Sequence, residues 1–310
     1  MRLHHHRPHR HAQGSALIAV FWLIAVLGLV LFAGAKMLAS DSRYAKTMKG
    51  RTFAKRYAEA GLAIGQHPMI TPDEPLLNYT GEDGGGFSVT ITTEESRFNI
   101  NTLLLSGDKI LLRRLFTRWG LEPQFASALQ DALKDWVDQD DLVSLNGAER
   151  RDYEKEGFED LPFNRPFKDL DEMLLVRGME SLNAFHPGWR EWFTVHGDGR
   201  VDVNEAREEL ISVLADVPVE RVAPLSRLRL GMDGVKFTKD DQRLTTVPQV
   251  AQLLGVFQPQ VVQHLTQWVQ FAGPIRRIES VGRLENSTRK LVVITQNNRV
   301  LWRGEVPNHG

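Results

Sequence analysis

Residues Ala16–Ala35 read ALIAVFWLIAVLGLVLFAGA, twenty positions without a charge, closed by Lys36. At about 1.5 Å per residue, a helix of that length spans about 30 Å, the hydrocarbon thickness of a bilayer. No other stretch approaches it, so the chain has one apolar span. A secretory signal would have a shorter apolar core and a small-residue cleavage site just beyond it. Here the run is too long, no A-x-A pattern follows, and the chain continues as ASDSRYAKTMKGRTFAKRYAEAGLAIG (Ala39–Gly65). That continuation has helical period, with Tyr44, Met48, Phe53, Tyr57 and Leu62 near one stripe. One long helix is therefore expected over residues 15–65, beginning in lipid and ending in the fold.

The whole chain has 310 residues, 42% apolar and 25% charged, with a formal net charge of -1 and no cysteine. Its length suggests about two folded units at roughly 150 residues each. The composition excludes wholesale disorder, a collagen-like repeat and a disulfide-stapled miniature. Near-neutral charge speaks against a dedicated nucleic-acid binder. The absence of cysteine removes any thiol nucleophile, Cys-ligated zinc or iron–sulfur site.

Beyond the helix, HPMITPDEPLLNYTGEDGGG (His67–Gly86) is rich in Pro, Gly and Asp and reads as a loop. A strand follows over about Phe87–Thr93. Near the other end, GPIRRIESVGRL, RKLVVITQ and NRVLWRGEV read as three strands, with Asn297-Asn298 as the turn between the last two. The fold class expected is α+β: a long N-terminal helix on a small antiparallel sheet, interrupted by a large all-α insertion. The boundaries read from the sequence are a leader at 1–14, the helix at 15–65, a first α+β part at 66–96, the insertion at 97–272 and closing strands at 273–310.

The insertion shows internal similarity. RFNIN (Arg97–Asn101) and RVDVN (Arg200–Asn204) share one pattern, and Asn101 and Asn204 are candidate helix N-caps. Trp119-Gly120-Leu121 and Leu254-Gly255-Val256 each place Gly between apolar residues, then a Pro at the head of a helix ending in Trp-Val. Two helix-hairpin-helix-like units are expected. Glu122 and Gln258, which follow the turns, are poor phosphate ligands, so the units read as packing devices and no nucleic acid is expected as a partner.

The leader MRLHHHRPHRHAQG, the Gly14 directly before the span, and a helix serving as both anchor and start of the fold resemble the class III signal of type IV pilins and pseudopilins. The resemblance implies cleavage between Gly14 and Ser15 by the prepilin peptidase and N-methylation of Ser15. It also implies a cytoplasmic leader and a periplasmic body, single-pass in the inner membrane; the basic residues flanking the span do not decide orientation by themselves. Most such proteins carry Glu at the fifth mature position, where this chain has Ala19. Charge in lipid is costly unless paired, so a subunit lacking that Glu suits a fibre's tip better than its stack.

Further stretches extend the resemblance to the K subunit family of type II secretion, the large minor pseudopilins. They are Glu59-Ala60-Gly61, RFNINTL (Arg97–Leu103), DWVDQDD (Asp135–Asp141), GAE (Gly147–Glu149) with Tyr153, LLVRGM (Leu174–Met179) and RVDVN. The resemblance implies a non-enzymatic role in priming a pseudopilus with the I and J minor pseudopilins, which then drives folded proteins through the outer-membrane secretin. RVDVNEA departs from the family's more usual R-V-N-V-N-T-A. The alternative is a membrane-anchored periplasmic ligand-binding or enzymatic protein with a helical recognition domain.

Asp135, Asp138, Asp140 and Asp141 cluster beyond a helix, and Glu149 follows after a loop. Oxygen ligands at this density suit Ca²⁺. Asp138 to Glu149 has the span of an EF-hand loop, but Val143 stands where that loop needs Gly. Two readings remain: a calcium site on Asp138, Asp140, Asp141 and Glu149, or a solvated acidic helix end. The family resemblance implies calcium in the helical region without fixing its ligands. Gly-x-Ser-x-Gly, a Walker loop, His-Glu-x-x-His and a dinucleotide fingerprint are all missing from the sequence, and His67, His186, His196 and His264 are scattered. No catalytic residues are assigned.

Overall fold

The structure is a computed structural model that describes residues 13–306; at 13–16, 35, 38–43 and 45–47 only the backbone is described. Helix α1 (Gln13–Gly65) runs unbroken for 53 residues. Its segment Leu17–Gly34, of mean hydropathy 2.8, is long and apolar enough to cross a membrane, and none of it is buried within the chain. Strands β1 (Asn78–Thr80) and β2 (Gly86–Thr93) follow.

The helical block then opens with β3 (Phe98–Asn99), α2 (Ile100–Leu105), α3 (Lys109–Arg118), α4 (Pro123–Val137) and α5 (Arg150–Lys155). It goes on through α6 (Met179–Phe185), β4 (Phe193–Thr194), β5 (Val201–Asp202), α7 (Glu208–Ala215) and α8 (Ala223–Leu230). It closes with α9 (Val247–Leu254), α10 (Pro259–Trp268) and β6 (Val269–Gln270). The chain returns to the sheet as β7 (Arg276–Leu284), β8 (Ser287–Gln296) and β9 (Arg299–Val306).

The main sheet is antiparallel in the order β1-β2-β7-β8-β9. Strands β2 and β7 pair from Gly86↔Arg283 to Thr93↔Arg276, so the insertion leaves and re-enters at neighbouring points of the sheet. Across the gap the Glu94 amide donates to Ile275 O at 2.8 Å. Asn297 and Asn298 both take positive φ, 50° and 62°, as a tight two-residue hairpin turn requires. The sequence RKLVVITQ lacks strict alternation because β8 is covered on both faces. Leu291 and Val293 pack toward α1, whereas Val292 and Ile294 form a small core with Ile275 on the opposite face.

The soluble part of α1 seats on the sheet through small residues. Ala54 and Ala58 are fully buried. An added Cβ at Gly61 would lie 2.3 Å from Ser280 Oγ, and one at Gly65 would lie 2.7 Å from Ile278 Cγ2. The expected aromatic stripe is thus only partly right. Tyr44 and Met48 are exposed, because α1 has not yet reached the sheet there, while Leu62 is buried. Helical period locates a face, but contact with a flat sheet favours residues that let the backbones approach. The segment read as a loop also contains β1, whose pairing with β2 (Tyr79↔Phe87) places Tyr79 against Phe87.

The insertion has its own large core, with Trp136, Trp189, Phe98, Phe116 and Leu115 almost fully buried. Two helix pairs, α3–α4 and α9–α10, are each joined through a positive-φ glycine, Gly120 at 80° and Gly255 at 65°. Gly, lacking a Cβ, adopts that backbone with the least strain. The expected N-caps need correction. Asn99 caps α2 by accepting from Thr102 N at 3.2 Å. Asn101 instead clasps a distant loop, with Oδ1 accepting from Phe167 N (2.8 Å) and Nδ2 donating to Phe167 O (2.9 Å). Asn204 does the same to Leu244 (2.8 and 3.0 Å) and donates also to Phe271 O. The repeated pattern therefore encodes two equivalent backbone staples, because a carboxamide supplies one donor and one acceptor where a strand-like edge needs both.

Candidate functional site

The residues read as a processing site fall at the start of α1. Residues 1–12 of the leader, with its histidines, lie outside the described residues. Gly14 and Ser15 lie in the first turn of α1, and their side chains are outside the described residues. Ala19 stands one turn further on, exposed, on a helix segment whose large apolar side chains face outward throughout: Leu17 is 76% exposed and Phe21 73%. None of the described residues covers this surface, and the segment is long and apolar enough to cross a membrane.

The acidic residues sit where α4 ends. Asp135, on the last turn of α4, is fully buried; its Oδ2 accepts from Ser144 N at 3.0 Å while its Oδ1 has no partner. The returning loop comes close, since a Cβ on Gly147 would lie 1.9 Å from Asp135 Oδ2. That contact explains the Gly before Ala148-Glu149. Glu149 is 2% exposed and neither of its carboxylate oxygens has a hydrogen-bond partner; Asp138 Oδ1 is likewise buried and unpartnered. Burial, followed by the charges of Asp135, Asp138 and Asp141, pushes Glu149 up to about 7. Burial together with Asp140 and Asp135 pushes Asp138 up to about 6.

Of the four residues named from the sequence, Asp138 and Glu149 thus share a desolvated nest. Asp140 and Asp141 are exposed: Asp140 Oδ1 accepts from Leu142 N (2.9 Å), and Asp141 Oδ1 accepts from Asn164 Nδ2 (3.2 Å). Asp135, named from the sequence in the same cluster but not among those four, is the most deeply buried of these acids, because the loop folds back over it. Buried carboxylates that lack both donors and cations are unfavourable, and a divalent ion relieves this directly.

Sequence reading missed a second acidic group. Asp233, Asp240 and Asp241 bring one oxygen each within 4.8 Å of the others, the one set of three acids this close among the described residues. Its oxygens are largely occupied, however. Asp240 accepts from Met232 N and Asp233 N, and Asp241 accepts from Phe237 N and Thr238 N. The set is spread over the loop after α8, with nothing in the spacing to announce it.

An ion network joins insertion and sheet. Arg277 Nη1 meets Glu94 Oε2 at 3.1 Å and Arg277 Nε meets Glu279 Oε1 at 2.6 Å, with Lys290 Nζ 2.7 Å from Glu279 Oε2. Arg97, the first residue of the RFNIN pattern, reaches Glu279 at 3.5 Å. Burial alone would raise Glu279, but Arg277, Lys290 and Arg97 overcome it and hold the carboxyl down to about 2. Thr93 Oγ1 donates to Asp202 at 3.3 Å and Trp302 Nε1 to Asp169 at 3.0 Å, adding two further ties.

A long helix, apolar in its first half and seated on an antiparallel sheet in its second, defines a pilin-like architecture here enlarged by an insertion that is mainly helical but, against the all-α expectation, holds two short parallel strand pairs, β3–β4 and β5–β6. Comparison with known proteins places it more closely. Residues 96–183 match the family described as "Type II secretion system (T2SS), protein K". Type II secretion system protein K of Klebsiella pneumoniae is 29% identical over 192 residues, covering 54% of this chain and 59% of the relative. The protein of the same name from Aeromonas hydrophila is 26% identical over 200 residues, covering 56% and 60%. The matched stretch therefore spans about three-fifths of the length of each of these relatives. A chain in the crystal structure of the GspK-GspI-GspJ complex from enterotoxigenic Escherichia coli superposes with a TM-score of 0.58 at 15% identity. That match takes in 88% of this chain and all of the other, and shows a shared fold. The resemblance to the K proteins of type II secretion, read from the motifs, is thus found in sequence and in fold.

Proposed function

We propose that this chain is a minor pseudopilin of a type II secretion system, standing at the tip of the pseudopilus. There it nucleates assembly with the I and J minor pseudopilins, and the fibre drives folded proteins across the outer membrane. Its role is structural, and no catalytic step is assigned to it. The observation that carries the reading is a pilin helix without an acidic residue at Ala19, joined to a sheet whose insertion packs as a large separate core. A bulky insertion has room around a tip and little within a tight helical stack. The two glycine-hinged helix pairs are read as helix-hairpin-helix-like packing units.

The same reading puts the leader in the cytoplasm, the span in the inner membrane and the body in the periplasm, with prepilin peptidase cutting between Gly14 and Ser15 and methylating Ser15. The test is mass analysis of the protein co-produced with prepilin peptidase and with I and J. A mature chain starting at methylated Ser15, in a stoichiometric complex with both partners, is expected. A chain that keeps its first fourteen residues beside an active peptidase, and that purifies alone, would overturn the reading.

Calcium belongs to this proposal. Asp135, Asp138 and Glu149 each bury an unpartnered oxygen, which supports a divalent cation there; they do not come within 4.8 Å of one another as Asp233, Asp240 and Asp241 do, so holding the ion with help from Asp141 would draw the loop in. The ion would supply charge neutralisation that clamps the loop 138–149 onto α4.

A further inference from the structure

Between the sheet and the insertion lies a cavity of about 320 Å³, within the range of sites that hold small ligands or inserted side chains. Its apolar walls come from both sides: Ile294, Trp302 and Val306 from β8 and β9, Leu170 and Val195 from the insertion. The Trp302 indole is fixed. It lies across Gly304, where a Cβ would stand 2.4 Å from the ring, and its Nε1 is bound by Asp169.

The cavity's charges do not cancel. Glu94 is neutralised by Arg277 at 3.1 Å and Asp171 by Arg190 at 2.9 Å; Glu305 is engaged by Arg289 at 2.8 Å. Asp169 is left with neutral donors only, Asp171 N at 2.8 Å and Trp302 Nε1 at 3.0 Å. No cationic side chain among the described residues forms an ion pair with it. The half-buried His196 ring also lines the cavity, and its nitrogens make no hydrogen bond among the described residues. Burial lowers its pKa, which keeps the ring neutral and able to accept. An unmatched carboxylate, a neutral imidazole and a rigid indole beside aliphatic walls together suit a cation on a hydrocarbon stem.

The position of the opening indicates where that cation comes from. Val306 ends β9, the outermost strand of the sheet, whose outer edge pairs with no other described strand. A second polypeptide passing there finds free backbone groups beside the cavity.

We propose that this cavity receives an arginine or lysine side chain from another polypeptide running past the end of β9. The stem lies against Trp302 and Ile294, and the cation rests on Asp169 with His196 as a second acceptor. The site needs both the sheet and the insertion, so it reports that the two are docked. It does not depend on the secretion role proposed above.

The test is saturation-transfer NMR on the full chain in zwitterionic micelles. The probes are the capped tripeptide acetyl-Gly-Arg-Gly-amide, its citrulline counterpart and free agmatine. Saturable binding of the arginine tripeptide is expected, with at least fivefold weaker binding of the citrulline form. D169N drops the charge and leaves one acceptor for the two donors Asp171 N and Trp302 Nε1, and should weaken the tripeptide by at least roughly tenfold, the usual weight of one charge-assisted contact. V306R, at the half-buried end of β9, places a guanidinium of the chain's own at the mouth and should abolish tripeptide binding while the variant still melts cooperatively. The proposal fails if the tripeptide gives no saturable signal at 20 mM, if citrulline binds equally, or if agmatine binds and the tripeptide does not.

Discussion

Replacing Gly282 by alanine tests the seating of the pilin helix on its sheet. Gly282 has no unusual φ, so its requirement is for space alone. A Cβ there would lie 1.9 Å from Ala54 O and 2.4 Å from Ala58 N, both atoms of the α1 backbone. No side chain can swing aside to relieve such a contact. Strand β7 and α1 must part by at least about 1.1 Å to reach the 3.0 Å that real Cβ contacts respect. A gap near 1 Å forfeits up to about half of the dispersion well for the atoms lining it. The core opened in this way contains Ala58, Leu62, Phe87, Val89, Ile278 and Val293. Overpacking costs typically 1–3 kcal/mol, and with an immovable backbone the upper end applies, about 3 kcal/mol. That corresponds to a fall of roughly 10 °C for a unit of this size. Hydrogen exchange on the full chain in micelles should show faster exchange at the β7 and β8 amides of G282A. Amides around Trp136 and Trp189 in the insertion should be unchanged. A variant melting within 2 °C of the parent, with β7 protection intact, would refute the argument.

Chelating divalent ions should lower the melting temperature of the parent by several degrees, while a D138N/E149Q variant should melt independently of chelator; an unchanged parent curve would remove the cation from the α4 nest. Glu95 is 2% exposed with Oε2 unpartnered, and burial, with Glu94 and Asp198 adding to it, raises its pKa to about 7 from the ordinary carboxylate value near 4.5. The folded state then holds this proton more tightly than the unfolded state does. Its contribution is therefore complete below about pH 4.5 and is lost as pH rises through 7, by up to about 3 kcal/mol. E95Q should flatten that part of the stability–pH curve, as followed by denaturant titration. Asn204→Ala orphans Leu244 N and O and frees Phe271 O. It should cost about 2–4 kcal/mol, seen as a lower denaturant midpoint, whereas Asn204→Asp restores only the acceptor side and should recover less than half.

The span, the closing strands and the Asn297-Asn298 turn were legible in the sequence because each is a local matter of length, alternation or turn chemistry. The seating of α1 was not. Ala54, Ala58, Gly61 and Gly65 are inconspicuous beside Tyr44 and Met48, and only the approach of the sheet shows that smallness matters more than bulk. Asn101 and Asn204 were recognised as special for the wrong reason. Capping is a short-range habit of Asn, whereas Phe167 and Leu244 are distant partners that no spacing rule supplies. At the acidic nest, composition pointed to the right cluster, Asp135 included, but not to which of its members are buried, since the burial of Asp135 depends on Gly147 folding against it. The cavity beside Trp302 was not visible at all, since its walls come from segments far apart in the chain.

The insertion is threaded through a single opening. Because Thr93 and Arg276 are register partners and Glu94 N reaches Ile275 O, a bridge of a few residues could replace everything between them, leaving β2 and β7 an ordinary hairpin. Growth, shrinkage or exchange of the helical block over evolutionary time then asks of the sheet only that its few ties to the block, Arg97–Glu279, Thr93–Asp202 and Trp302–Asp169, be kept or lost together. The head of such a molecule can change while its stem keeps the same fold.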